Sequence, residues 1–279
     1  MKHFLIYVNQ YKDRNLYTAK RICDYLKLKG QRATIAAADE EEERREGFPA
    51  DCDMMIVLGG DGTMLRAVRD TKGLHIPIIG VNLGTLGYMT EIEPASLEES
   101  LERLVAGEYL QEPRMMLEGS AYRKGGGVTQ GWALNDIVIS RSGSLQIIKY
   151  SIYVNGQFLN DYHADGMIVT TPTGSTGYNL SAGGPLVEPG AELIMLTPIC
   201  PHSLNQRSII LSPEDKIEIE IPECGEGREQ VVAVNFDGGR RALLETGDRI
   251  RIKRSEEAAC FIRLNQVSFL EMLHRKMQG

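Results

Sequence analysis

The sequence predicts an α/β N-terminal domain, with a parallel sheet and helices on both faces, followed by an all-β, sandwich-like C-terminal domain. Three observations carry this. Strand and helix patterns alternate through the first third of the chain, which argues a covered parallel sheet. After Gln111, helical spacing gives way to short alternating runs separated by turn signals. The stretch "QVSFLEMLHRKM" (266–277) returns to helical spacing, as expected of a C-terminal helix returning to the first domain. The expected division is 1–111, completed by 262–279, and 112–261.

"HFLIYV" (3–8) reads as a first strand. Leu16, Ala19, Ile22, Cys23 and Leu26 recur at helical spacing, and Gly30 stops that helix. "ATIAAA" (33–38) reads as a strand, and the charge run "DEEEERREG" (39–47) as a solvated loop or frayed helix. "DMMIVL" (53–58) is a buried strand that feeds a GGDG turn and a helix to Asp70. "IPIIGV" (76–81) is another strand. Ser96 and Glu99 have the spacing of a capping box for a helix that reaches Ala106 and stops at Gly107. Beyond lie "ALNDIVIS" (133–140), "IIKYSIYV" (147–154), "MIVTT" (167–171), "KIEIEI" (216–221), "QVVAVNF" (230–236) and "DRIRIKR" (248–254). "KGGG" (124–127), "NG" (155–156) and "DGG" (237–239) mark turns between such runs.

The 279 residues are 42% hydrophobic and 25% charged, enough for a sizeable core. A formal net charge of -7 disfavours nucleic acid as a partner, because phosphate binding wants a basic surface. Apolar runs such as Met54 to Leu58 fall far short of the roughly 18 residues of a membrane span. The run Phe4 to Val8 is likewise too short for a signal peptide, so a cytoplasmic protein with no membrane partner is expected. Cys23, Cys52, Cys200, Cys224 and Cys260 form no CxxC and read as reduced thiols. His3, His75, His202 and His274 show no metal spacing, and no protein-ligated metal is expected.

The chemistry concentrates in three places. In "MIVLGGDGTML" (55–65) a strand turns into a helix through glycines that let backbone N–H groups approach an anion. At the carboxyl end of a parallel strand this is a phosphate cradle, formed by Gly59, Gly60 and Thr63. A carboxylate there, Asp61, would repel phosphate unless it holds Mg²⁺ or takes a proton from an attacking hydroxyl. An ordinary Asp-Gly turn is the plain alternative. The second place is "ADGMIVTTPTGSTGYNLSAGGPLVEP" (164–189), dense in glycines and small hydroxyls suited to ribose and phosphate oxygens. Its Tyr178 can stand over a ring. In the third, Asn135 and Asp136 interrupt an apolar run; one must point inward, to hold a ligand or to form a β-bulge.

"GGDGTML", "ALND" and above all "DGMIVTTPTGSTGYNLSAGGP" together resemble the ATP-NAD kinase family, whose members make NADP from NAD. "NLGTLGYMTEIEP" and "GEYLQEPRMMLEG" are similar to that family's linking segments. The GGDG turn alone is shared with lipid kinases of the diacylglycerol and sphingosine types; the TPTGST segment is far more specific. The resemblance implies an α/β domain plus a sandwich-like domain, with the site between them. It implies that Asp61 is the general base for the adenosine-ribose 2′-hydroxyl, with Gly62 beside it and Arg66 near the phosphates. Asn135 and Asp136 would hold NAD, and Asp165 and His163 would contact the second nucleoside. Thr176, Gly177, Tyr178, Asn179, Leu180 and Ser181 would line the dinucleotide site. Mg²⁺ or another divalent metal would come with ATP. Homodimers or homotetramers are implied, in which a neighbour completes the site. Asp136 stands where the family more often has Glu, Gly177 where Ala is usual, and Gly239 where some members have Gln. Two rivals remain at this point: a lipid kinase and a non-catalytic nucleotide sensor. The polar TPTGST loop speaks against the first, and the intact acid and phosphate loop against the second.

Overall fold

The computed structural model describes residues 1–37, 48–84, 87–143, 147–202, 207–223, 229–265 and 267–277. The charge run at 39–47 and Cys224 lie outside the described residues. The chain divides into two compact units, Met1–Arg114 with Ala259–Gly279, and Met115–Ala258.

In the first unit, strands β1 (His3–Val8), β2 (Arg32–Ala37), β3 (Met54–Gly59) and β4 (Ile78–Asn82) lie parallel in the order β2-β1-β3-β4. β1, β3 and β4 are buried along their whole length, which is why they read as unbroken apolar runs. Helices α1 (Tyr17–Leu28) and α3 (Leu97–Ala106) cover one face, where Ile22, Leu26, Leu101 and Leu104 share a core with Phe4, Ile6, Met54 and Ile56. Tyr7 points to the opposite face, and its hydroxyl donates to Asp70 of α2 (Asp61–Asp70) at 2.6 Å. Helices thus cover both faces. The order 2-1-3 sends the chain one way from β1 and the other way from β3. That makes the crevice outside their carboxyl ends a topological switch point.

The start of α3 departs from the expected capping box. Ser96 closes a 3₁₀ turn begun by Pro94, with φ -104° and ψ 15°, and its hydroxyl donates to the Glu93 carbonyl at 3.2 Å. An N-cap side chain needs an extended backbone to reach forward, and the proline turn removes it. Gly107 ends the helix at φ +83°, as its position predicts.

The second unit is built from β5 (Leu110–Tyr122, from Met115 on), β6 (Val128–Ala133), β7 (Asp136–Arg141), β8 (Ile148–Val154), β9 (Gln157–Ala164) and β10 (Gly166–Thr170). A 3₁₀ turn (Thr173–Thr176) and the short α4 (Tyr178–Ser181) follow. Then come β11 (Ile194–Ile199), β12 (Ile209–Leu211), β13 (Ile217–Glu220), β14 (Val231–Phe236), β15 (Arg240–Glu245) and β16 (Arg249–Arg263). One sheet runs β12-β11-β10-β7-β14-β15; β16, β13, β8 and β9 form the other in that order, with β5 and β6. Leu117, Tyr150 and Ile219 from the second sheet meet Ile137, Val169 and Phe236 from the first in one sandwich core. Asn155 (φ 53°) and Gly156 (φ 79°) make the tight turn between β8 and β9.

"ALNDIVIS" is two strands rather than one interrupted strand: β6 ends at Ala133 and β7 begins at Asp136. Close by, Gly119 and Gly131 sit opposite each other on β5 and β6. A methyl group on either would lie 2.8 Å or 2.6 Å from the Phe236 ring. The two glycines make a seat for Phe236, which anchors the turn that follows it.

The end of β16 belongs to the first unit, where Phe261 pairs parallel with Ile78. The helix Phe269–Met277 lies there too and sets Lys276 over the Tyr88 ring at 4.7 Å. Among the described residues, no helix is long and apolar enough to cross a membrane.

Candidate active site

The glycine turn sits at the switch point of the first unit. β3 ends at Gly59, Gly60 is extended (φ -131°, ψ -168°), and α2 begins at Asp61. The Thr63 and Met64 N–H groups donate to the Gly60 carbonyl at 2.8 and 3.0 Å and start the helix at once. A methyl group on Gly59 would lie 2.3 Å from the Thr63 hydroxyl oxygen, so the turn admits no side chain there. Gly62 faces open space. Arg66 is half-buried one turn along, and Asp70 and Tyr7 feel its charge.

The sequence leaves Asp61 bare among glycines. The structure corrects this. The Tyr88 N–H donates to one carboxylate oxygen at 2.8 Å and the Met89 N–H to the other at 3.0 Å. Gly87 makes room, since a methyl group there would fall 2.1 Å from Asp61 Oδ1. Two peptide donors therefore aim the acid before any substrate arrives. They lie 27 and 28 residues downstream, beyond the reach of local pattern reading.

The second cluster lies in the second unit, around Asn135. The Asp237 carboxylate accepts three successive N–H groups, from Leu134 (2.7 Å), Asn135 (2.8 Å) and Asp136 (3.1 Å). The Asp237 N–H donates back to the Asp136 carbonyl at 3.0 Å. This clamp ends β6, turns the chain at Asn135 and starts β7. Thr171 and Thr170 add hydroxyl donors to the Leu134 and Asn135 carbonyls, at 2.5 and 2.9 Å. Gly174 and Gly177 crowd the same turn; a methyl group on Gly177 would lie 3.3 Å from Asn135 Nδ2 and 4.0 Å from Asp136 Oδ2. Asn135 Oδ1 is buried and has no hydrogen-bond partner among the described residues, an orphan that a ligand would satisfy. The carboxyl of buried Asp136 is pushed up to about 7, by burial first and by the Asp237 carboxylate second.

The remaining predicted residues divide. Tyr178, Leu180 and Ser181 are exposed on α4, next to the half-buried Thr176 and Gly177. Asn179 is not with them. It is wholly buried, donates to the Pro185 carbonyl at 2.9 Å and accepts from Thr197 at 2.7 Å. Its side chain staples the loop from inside. Helical rotation turns it inward while its neighbours face out. Asp165 lies at the far end of β10, and His163 near the end of β9, opposite Lys149 of β8. Gly166 pairs with Ser140 and Thr170 with Asp136, so Asp165 is five residues, about 16 Å, from the Asn135 end. The structure does not bring them to that cluster. Asp165 pairs instead with Arg141, at 3.3 Å.

Sequence reasoning missed Asp237 and Arg141 as organisers. "DGG" was legible as a turn, but not as the clamp of a segment about a hundred residues earlier. Among the described residues, no group of three or more His, Cys, Asp or Glu side chains is placed to cage a metal ion.

The ATP-NAD kinase N-terminal domain matches residues 4–109, and the ATP-NAD kinase C-terminal domain matches residues 134–264. The chain belongs to the ATP-NAD kinase family. An NAD kinase of Agathobacter rectalis is 46% identical, over 99% of each chain. One from Lachnospira eligens is 44% identical, over 99% of this chain and 100% of its own. An Archaeoglobus fulgidus NAD kinase solved in complex with ATP is 28% identical, covers both chains fully and superposes with a TM-score of 0.78. Yeast NADH kinase, solved with NADH, shares the fold: TM-score 0.85 at 22% identity, over 100% of this chain and 88% of its own. The activity is that of an ATP-NAD kinase, phosphoryl transfer to NAD, and the lipid-kinase and sensor alternatives fall away.

Within this ATP-NAD kinase, the raised Asp136 carboxyl has a consequence for stability. The folded chain keeps the proton where the unfolded chain, with an ordinary value near ~4, has lost it. The associated stability is full below ~4 and is lost as pH rises through about 7. Denaturant melts of Asp136→Asn should lack this decline, which in wild type is at most about 1.4 kcal/mol per pH unit. Parallel stability profiles for the two proteins across that window would contradict it.

Proposed function

We propose that Asp61 takes the proton from the adenosine-ribose 2′-hydroxyl of NAD as that oxygen attacks the terminal phosphorus of ATP. The bond to the ADP oxygen breaks as the new P–O bond forms, giving NADP and ADP. A ribose hydroxyl is a poor nucleophile at neutral pH, so the base must lie within about 3 Å of it. The observation that carries this is the double N–H clamp on Asp61, which fixes the carboxylate beside the glycine turn. Gly59, Gly60, Gly62 and Thr63 let the donor phosphates approach the start of α2, with Arg66 one turn further on. Asn135 and Asp136 hold NAD, a role that the orphaned Asn135 Oδ1 supports. Protonated Asp136 can donate to a ribose oxygen, and ionised it can accept. Thr176, Gly177, Tyr178, Leu180 and Ser181 line the same pocket, while Asn179 holds their loop in shape.

A divalent cation, Mg²⁺ in the simplest case, arrives on the ATP phosphates and supplies charge neutralisation there. The described residues do not offer a cage of their own for it. Asp165 and His163 serve a neighbouring copy's NAD in a homodimer or homotetramer. The distance of Asp165 from Asn135 along β10 supports that reading.

Asp61→Asn keeps the side chain's size and removes the base, at the cost of one of the two N–H bonds, because its amide NH2 cannot accept. NAD binding should stay within a few-fold of wild type while turnover falls by about 10²–10⁴. Wild-type turnover in this variant would refute the base assignment. Light scattering of the purified protein should give the mass of a dimer or larger assembly; a monomer at working concentration would contradict the role given to Asp165 and His163.

A further inference from the structure

Lys12 lies in the loop between β1 and α1, a segment no motif singles out. Its ammonium reaches across the switch-point crevice. A methyl group built on Gly60 would lie 3.0 Å from Lys12 Nζ, and one built on Gly84 would lie 3.5 Å away. The first glycine follows β3 and the second follows β4. One cation thus stands over two glycines at the carboxyl ends of a parallel sheet, where such sheets bind ligands.

The loop holds Lys12 by its backbone. The Lys12 and Asp13 N–H groups both donate to the Asn9 carbonyl at 3.0 Å, and the Tyr11 N–H donates to Asn9 Oδ1 at 3.0 Å. The nearest acid in sequence is already committed. Asp13 is buried, and its carboxylate accepts the Thr18 and Ala19 N–H groups at 2.8 and 2.9 Å. Among the described residues, the Lys12 ammonium forms no ion pair, although acids outnumber bases in the chain, 38 to 31. A lysine set over two glycines, with the nearest acid tied up, is placed for an anion that arrives from outside.

We propose that Lys12 binds the phosphoryl donor and is the point charge on the terminal phosphates of ATP above Gly60 and Gly84. The proposal rests on the kinase reading and adds to it a residue from a different loop. Lysine suits this task because its ammonium can follow the phosphate as charge moves from nucleophile to leaving group.

The test is steady-state kinetics on Lys12→Met and Lys12→Arg, with calorimetric MgATP binding in parallel. Lys12→Met should raise the KM for ATP by about tenfold or more and leave the KM for NAD within about twofold. Lys12→Arg should restore most of the loss. An ATP KM within twofold of wild type overturns the proposal, and so does an equal rise for NAD. Lys12 is exposed, so neither variant disturbs the core. Wild-type protein that makes no NADP would sink the kinase reading instead. In that event the calorimetry still decides Lys12: MgATP binding weakened in Lys12→Met supports it, and unchanged binding overturns it.

Discussion

Two peptide N–H groups, from Tyr88 and Met89, hold the Asp61 carboxylate at 2.8 and 3.0 Å, and the proposed chemistry depends on that hold. Hydrogen bonds to a charged group contribute about 1.5–3 kcal/mol each, more than enough to choose one rotamer. The acid need not be reorganised when substrate binds, and its aim is built into the backbone. Everything around the turn serves this. Gly87 is bare because the carboxylate occupies the space of its side chain, and Gly59 because Thr63 occupies that of its own. β1, β3 and β4, fully buried, provide the fixed edge from which the loops extend.

The same device recurs in the second unit at larger scale. Asp237 gathers three consecutive N–H groups and so decides where β6 ends and β7 begins. Phe236, wedged over Gly119 and Gly131, fixes Asp237 from the other side. One electrostatic side effect follows. A second carboxyl, Asp136, is buried beside the first and is pushed up to about 7, near neutrality. A group poised there can either donate or accept near neutral pH, a useful property in the proposed nucleotide pocket.

Much of the fold was legible because the core strands of the first unit are unbroken apolar runs. "HFLIYV" became β1, and the GGDG turn was readable as the start of α2. β9 was not legible: five of its eight positions in succession are exposed, so no alternation marks it. Ser96 misled because Pro94 set the backbone before the serine could cap. In the site, residue types were readable and partners were not. Asp61 drew attention by its glycines, yet its N–H donors come from a separate loop. Asn179 stood in a polar, loop-like stretch, and only its helical position shows that it faces inward. The unlikeness of Asp165 and Asn135 in location could not be read from "ADGMIVTT" at all, because it depends on pairing with β7.

A crystal structure of this chain with NAD bound is the most direct test of the role given to Asp61. The account predicts the adenosine-ribose 2′-oxygen within about 2.6–3.2 Å of an Asp61 carboxylate oxygen. The Tyr88 and Met89 N–H groups should still be bonded to that carboxylate. NAD bound with its 2′-oxygen against another residue, and Asp61 beyond hydrogen-bond reach of it, would contradict the account.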